Sequence, residues 1–195
     1  MSVGSCKINF GCVRSGKSTA MISELTRAAD VGLKVAYYNH SSDIRLTESS
    51  DSVVTTHNSG FTKLSKKING FKVSSLSEVN FEGYHMVGID EGQFFDDIVP
   101  VVRDLVLKKG IRVIIASLDY DYKLQPFGKV LELAGLCEPG NVNKLAAICE
   151  KCDVQDLRSA SHSMKISGGT EIVDVGGADK YIPVCTKCYV KYNIY

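Results

Sequence analysis

Apolar residues along the first three-quarters of the chain fall into short blocks, separated by stretches with a helical period. Residues 7–10 read as a strand that ends in Gly11. From Lys17 to Asp30, Met21, Ile22, Leu25, Ala28 and Ala29 lie on one face of a helix, and Gly32 suits its C-terminal cap. Residues 33–38 are expected as the second strand, and residues 39–60, rich in Ser, Thr, Asp and Asn, as a long exposed loop. Residues 71–73 are a further strand, and residues 85–89 form a near-continuous apolar strand that delivers Asp90 and Glu91 at its carboxyl end. Asp96 is placed as the N-cap of a helix running through Lys109, with Pro100 in the first turn, where its missing N–H is tolerated. Residues 111–118 form the most apolar strand, followed by a helix over 127–136 and a strand over 143–148. Strands that are apolar throughout and bounded by helices predict an α/β fold with a parallel sheet covered on both faces.

After Cys149 the pattern changes to short polar and glycine-containing segments, and no helix is expected. The chain is therefore divided into residues 1–148 and 149–195. The second part, 47 residues, is too short to build a good core alone, so bound metal is expected to contribute folding energy.

Composition narrows the function classes. At 195 residues, with about 150 per domain, the chain has room for one main domain and a small appendage. A hydrophobic fraction of 44% with 23% charged residues is ordinary for a globular protein and argues against disorder. The 23 Lys+Arg against 22 Asp+Glu give a net charge of +1, without the basic excess that a nucleic-acid binder needs. No apolar run approaches the roughly 18 residues that span a bilayer, and the first ten residues lack the apolar stretch of a signal peptide. A cytoplasmic (or nuclear) location with reduced thiols follows as the expectation, so the seven cysteines need another explanation than disulfides.

Four of those cysteines supply one. Cys149-Glu-Lys-Cys152 and Cys185-Thr-Lys-Cys188 are two C-x-x-C turns with 32 residues between them. Each turn presents two thiolates, and together they offer four soft ligands to a tetrahedral ion, which points to structural Zn²⁺. A redox role would need only one such pair beside a thioredoxin-like unit. Cys6, Cys12 and Cys137 stand singly and read as small buried hydrophobes.

Gly11-Cys12-Val13-Arg14-Ser15-Gly16-Lys17-Ser18 matches the phosphate-loop pattern G-x-x-x-x-G-K-[ST], directly after a strand and opening a helix. Its backbone N–H groups and the helix N-terminus would wrap ATP phosphates. Lys17 would reach the β- and γ-phosphates, and the Ser18 hydroxyl would ligate Mg²⁺. Asp90, about 70 residues later, suits the second Mg²⁺ contact. Glu91 follows on the opposite face and is the catalytic general base on this reading. Nothing local decides whether the attacking group is water or a substrate hydroxyl, and the chain has no N-K-x-D string for guanine.

The stretch from Gly11 to Thr19, the string Asp90-Glu-Gly-Gln-Phe-Phe95, Cys149-x-x-Cys152, and Gly176-Gly-Ala-Asp-Lys-Tyr181 followed by Cys185-x-x-Cys188 resemble thymidine kinases of the cellular and poxviral type, over nearly the whole chain. The resemblance implies transfer of the ATP γ-phosphate to the 5′-hydroxyl of thymidine, a RecA-like α/β domain, a small zinc domain with a lasso-like loop, a homotetramer and feedback inhibition by dTTP. Glu91 matches the family's base, and Arg45 an arginine near the transferring phosphates. Gln93 falls beside the base and is grouped with the phosphate-binding residues. Phe94, Leu118, Tyr122 and Phe127 match nucleoside-pocket positions, and Ser159 matches a small hydroxyl position in the zinc domain. Ile172, Val173, Asp174, Val175 and Gly176, with Tyr181, match the loop that holds the pyrimidine through backbone groups.

The chain also departs from the family pattern. Cys12, Val13 and Arg14 replace a proline, a methionine and an aromatic, and Tyr120 and Tyr122 replace a glycine and a phenylalanine. These changes leave open a deoxynucleoside kinase of broader or shifted specificity. Further alternatives are a P-loop NTPase with a partner-sensing zinc ribbon, and a zinc-ribbon binding module switched by its P-loop.

Overall fold

A computed structural model describes residues 3–43, 53–54, 62–63, 65, 67–169 and 180–192. In chain order the elements are β1 (Ser5–Gly11), α1 (Lys17–Asp30), β2 (Val35–His40), β3 (Val53–Val54), β4 (Thr62–Lys63), β5 (Ile68–Val73) and β6 (Met86–Asp90). They continue with α2 (Ile98–Leu107), β7 (Arg112–Ser117), β8 (Val142–Leu145), β9 (Ala147–Ile148), β10 (Ser159–Ala160), β11 (His162–Lys165), β12 (Tyr181–Val184) and α3 (Thr186–Tyr192). Two 3₁₀ turns, Gly92–Phe94 and Val130–Leu136, complete the set.

Six strands form one sheet in the order β5-β2-β6-β7-β1-β8, and every pairing in it is parallel. Alternate residues along the strands feed two separate cores. Met21, Ile22 and Leu25 of α1 pack with Val35, Tyr37, Met86 and Ile114 on one face. On the other, Ile98, Val102 and Leu105 of α2 pack with Tyr38, Val87, Ile89, Val113 and Ile115. The expected α/β fold with both faces covered is what forms, because strands buried on both sides need apolar residues at every position.

Helix α1 has the bounds read from the sequence. Its end is fixed by Gly32 at φ 88: the Gly32 N–H donates to Ala29 O and the Leu33 N–H to Ala28 O, which satisfies two terminal carbonyls. Leu33 is used in this cap and the Lys34 N–H donates to His85 Nδ1 at 3.0 Å, and β2 starts two residues later than expected and runs on through Asn39 and His40. Asn39 is buried and donates its amide to Asp43 Oδ2 at 2.9 Å. The stretch 39–60 therefore begins as strand, and it contains β3, paired antiparallel with β4.

Helix α2 is entered from Asp97 and not from Asp96, and neither carboxylate caps it. Asp97 Oδ2 instead accepts from Ser75 Oγ at 2.6 Å and the Ser77 N–H at 2.8 Å. The helix expected over 127–136 is the 3₁₀ turn over Val130–Leu136. The strand expected over 143–148 divides into β8 in the main sheet and β9, which pairs with β10. The C-terminal stretch has a helix after all, the seven-residue α3. The four cysteines of the two C-x-x-C turns lie beside a small core of Ala160, Met164, Ile182, Val184 and Tyr189 that also takes in Cys12.

Candidate active site

The carboxyl ends of β1, β2, β6 and β7 lie side by side, and the residues with chemical potential follow them, the usual place for a ligand in an open parallel sheet. Directly after β1 the chain turns through Gly11 to Gly16, and α1 starts at Lys17 without a side-chain cap. Lys17 is buried and lays its ammonium on Cys12 O at 2.7 Å, with Ser15 Oγ at 3.4 Å. Ser15 is buried as well, and Thr19 is half-buried in the first turn of α1.

Asp90 closes β6, and its two oxygens are separately held. Oδ1 accepts from Ser18 Oγ at 2.8 Å and from the Glu91 N–H at 3.0 Å, while Oδ2 accepts from the Tyr37 hydroxyl at 2.8 Å. Burial, and then the neighbouring Asp90 carboxylate, push the Tyr37 phenol well above its ordinary value, so it stays a donor. Tyr37 was not singled out in the sequence, where it reads as one more apolar strand residue.

Glu91 is buried and has φ 52, the left-handed region, which is uncommon for a residue with a side chain. The divergence of Asp90 and Glu91 comes from this backbone turn, because the strand ends before Glu91 and its pleat does not extend to it. The Gln93 amide donates to Glu91 Oε2. Gln93 Oε1 in turn accepts from Ser117 Oγ and from the Leu118 N–H, both at 3.0 Å, tying the carboxylate to the end of β7. Gln93 therefore acts on Glu91, a finer placement than its grouping with phosphate-binding residues.

Phe94 is half-buried and meets Phe127 edge-on at 5.7 Å, with the His40 ring at the same distance on another side. Leu118 is half-buried, and its N–H donates to Gln93 Oε1. Tyr122 leans toward Tyr181 with ring centres 6.3 Å apart, Lys165 Nζ lies 5.2 Å from the Tyr122 ring, and the Tyr189 hydroxyl donates to Tyr122 O at 2.7 Å. Position 120 has no positive φ, so the backbone there does not require glycine and accommodates Tyr120.

The P-loop touches the C-terminal segment at three successive residues. Cys12 Sγ donates to Ala160 O at 3.3 Å, the Val13 N–H to Ser163 Oγ at 3.1 Å, and the Arg14 guanidinium pairs with Glu150 and donates to Tyr181 O at 3.3 Å. The hydroxyl that reaches the loop is thus that of buried Ser163. Ser159 is exposed on β10 and is not brought to the site. The strand register that brings Ser163 to Val13 is not visible in the sequence. Arg45 and the segment Ile172 to Gly176 lie outside the described residues.

Cys149, Cys152, Cys185 and Cys188 gather their sulfurs within 4.8 Å of one another and could hold a metal ion. Cys152 Sγ lies 3.8 Å from Cys185 Sγ and 3.7 Å from Cys188 Sγ. A tetrahedron with zinc–sulfur bonds of about 2.3 Å has edges of about 3.8 Å, so the sulfur set fits that ion. Burial pushes the Cys149 thiol up, but N–H donation from Cys185 and Lys151 and the neighbouring thiols outweigh it and hold it at about 6.

A parallel sheet with a glycine-rich turn after β1 and a buried carboxylate pair after β6 defines a P-loop α/β protein with an attached four-thiol centre. A sequence model described as "Thymidine kinase" matches residues 4–189. The chain is 35% identical over 189 residues to the thymidine kinase of fowlpox virus (strain NVSL), an alignment covering 97% of this chain and 98% of that protein. It is 34% identical over 189 residues to thymidine kinase 1 of Dictyostelium discoideum, covering 95% and 78%. It is 32% identical over 188 residues to the thymidine kinase of Porphyromonas gingivalis strain W83, covering 96% and 86%. The chain belongs to the thymidine kinase family, a family of phosphotransferases. Among the described residues no helix is long and apolar enough to cross a membrane.

Proposed function

We propose that the protein transfers the γ-phosphate of ATP to the 5′-hydroxyl of thymidine. The observation that carries this reading is the pair of carboxylates held for different tasks at the end of β6, one bonded to the P-loop serine and the other kept apart by the Glu91 turn and Gln93. The N–H groups from Gly11 to Ser18 and the Lys17 ammonium bind the phosphates, with Thr19 in the same first turn. Ser18 and Asp90 present oxygen donors, the kind that Mg²⁺ selects, and these residues would hold it. Bound there with ATP, Mg²⁺ would supply positive charge that offsets the charge of the phosphates.

Glu91 takes the proton from the 5′-hydroxyl as its oxygen attacks phosphorus, and the γ-phosphoryl group leaves ADP for that oxygen. Gln93 holds the carboxylate in place for this task. Arg45 stabilises charge on the transferring group. Phe94, Leu118, Tyr122 and Phe127 line the nucleoside side, Ser163 takes the hydroxyl role first given to Ser159, and residues 172–176 with Tyr181 hold the pyrimidine. The four cysteines hold structural Zn²⁺, dividing the chain into a nucleotide-binding part (1–148) and a zinc part (149–195). A homotetramer and feedback by dTTP, which rest on the family alone, and the cytoplasmic location expected from the sequence complete the reading.

The test is a panel of nucleosides assayed with ATP and Mg²⁺. ATP consumption that depends on nucleoside, with thymidine preferred, supports the proposal. ATP turnover at the same rate without nucleoside would assign the site to water activation.

A further inference from the structure

The contacts between the P-loop and the C-terminal segment form an organised seam. Ala160 lies on β10, Ser163 on β11, Tyr181 on β12 and Glu150 between Cys149 and Cys152, so each part of the small unit grips a loop residue. Cys12 belongs to the same apolar cluster as Cys149, Cys185 and Cys188. The Glu150 N–H donates to Pro183 O at 3.0 Å, which fixes the first C-x-x-C turn to β12. Arg14 has φ 58, a conformation that a residue with a Cβ seldom adopts. Its side chain meets the Glu150 carboxylate and the Tyr181 carbonyl, so the small unit holds the loop at its least favourable backbone position.

We propose that Arg14 is a positioning residue that couples the four-cysteine centre to the phosphate loop. A metal-ordered Cys149–Cys152 turn holds Glu150, Glu150 holds Arg14, and Arg14 sets the loop in the shape that receives phosphate. The proposal rests on the reading of the P-loop as the phosphate site. It extends that reading in one respect: the metal centre acts on the nucleotide end of the site as well as on the nucleoside end. Coupling between two binding events is reciprocal, so nucleotide in the loop must also retain the metal.

The experiment uses the full chain loaded with zinc. Zinc release to a chromogenic chelator is timed with and without ADP and Mg²⁺, and ADP binding is measured separately by calorimetry. ADP should slow zinc release in the unaltered protein. Arg14 and Glu150 are 21% and 38% exposed, so the share of this effect carried by their ion pair is modest, about two- to fivefold. Arg14→Gln and Glu150→Gln should each remove that share, and the double variant should lose no more than either alone. Exchanging the charges, Arg14→Glu with Glu150→Arg, should recover part of it. Glu150→Gln is an exposed, conservative change, so it reports on coupling even where an Arg14 variant fails to fold. The proposal is overturned if ADP binds and zinc release is unchanged, or if Glu150→Gln keeps full protection. A protein that binds no ADP would overturn the P-loop reading as well, and the calorimetry distinguishes that outcome.

Discussion

Replacing Gly128 with Ala tests how Glu91, the proposed general base, is held. Gly128 has φ 68, and a Cβ built on it would lie 2.4 Å from Gln93 O and 2.7 Å from Gln93 Cα. Both are backbone atoms, so no side-chain rotation relieves the overlap and the segment carrying Gln93 must move. A left-handed φ costs an alanine about 1–2 kcal/mol, and overpacking adds about 1–3 kcal/mol. Together these give roughly 2–5 kcal/mol, which for a chain of this size lowers Tm by on the order of 10 °C. The same shift loosens the bonds from Gln93 to Glu91, Ser117 and Leu118. A misplacement of about 1 Å costs on the order of 10² in rate, so kcat should fall more than the KM values change. Gly135→Ala is the control: a Cβ there meets nothing within 4 Å, and it should leave kcat alone and shift Tm by only a few degrees, in the stabilising direction. Thermal unfolding and steady-state kinetics read both variants. A Gly128→Ala protein with unaltered Tm and kcat would refute the claim that this turn positions Gln93.

Tyr37→Phe leaves Asp90 Oδ2 without its phenol donor and should cost about 1–3 kcal/mol in stability while raising the Mg²⁺ concentration for half-maximal rate; equal Mg²⁺ dependence would remove Tyr37 from the site. Burial raises the Asp97 carboxyl, but hydrogen bonds from Ser75 and Ser77 outweigh it and hold it below its ordinary value. The stability this gives is present above about pH 4 and is lost as pH falls through the lowered value in the folded protein. The gap in denaturation midpoint between wild type and Asp97→Asn should therefore shrink under acid, and a gap constant with pH would contradict it. Cys185→Ser should abolish stoichiometric zinc by metal analysis and disorder the C-terminal segment, whereas retained zinc with four-sulfur spectroscopy would refute the assignment.

The main sheet was legible because its signals are local. Apolar blocks, the run from Met21 to Ala29, and Gly32 each act within a few residues, and α1 came out with the bounds read from them. The two C-x-x-C turns were legible for the same reason, as their spacing is a covalent fact. What stayed hidden depends on partners far along the chain. Asn39 read as loop because its polarity is visible in the sequence and its bond to Asp43 inside the fold is not. Glu91 takes its direction from a left-handed φ that no periodicity reports. Arg14 read as a phosphate-loop residue standing where the family pattern has an aromatic, and its partner Glu150 lies 136 positions away. Ser163 was not singled out, because which face of which short strand meets Val13 is not written in the local sequence. The segment α3 is too short to display a helical period.

The most direct test follows the label from γ-³²P-ATP in the presence of Mg²⁺ and thymidine, for the unaltered protein and for Glu91→Gln. The account predicts label in thymidine 5′-monophosphate and little in inorganic phosphate. It also predicts that Glu91→Gln, while still binding both substrates, transfers label about 10² to 10⁴ times more slowly. Label released as inorganic phosphate whether or not thymidine is present, or a Glu91→Gln protein that transfers at the unaltered rate, would contradict it.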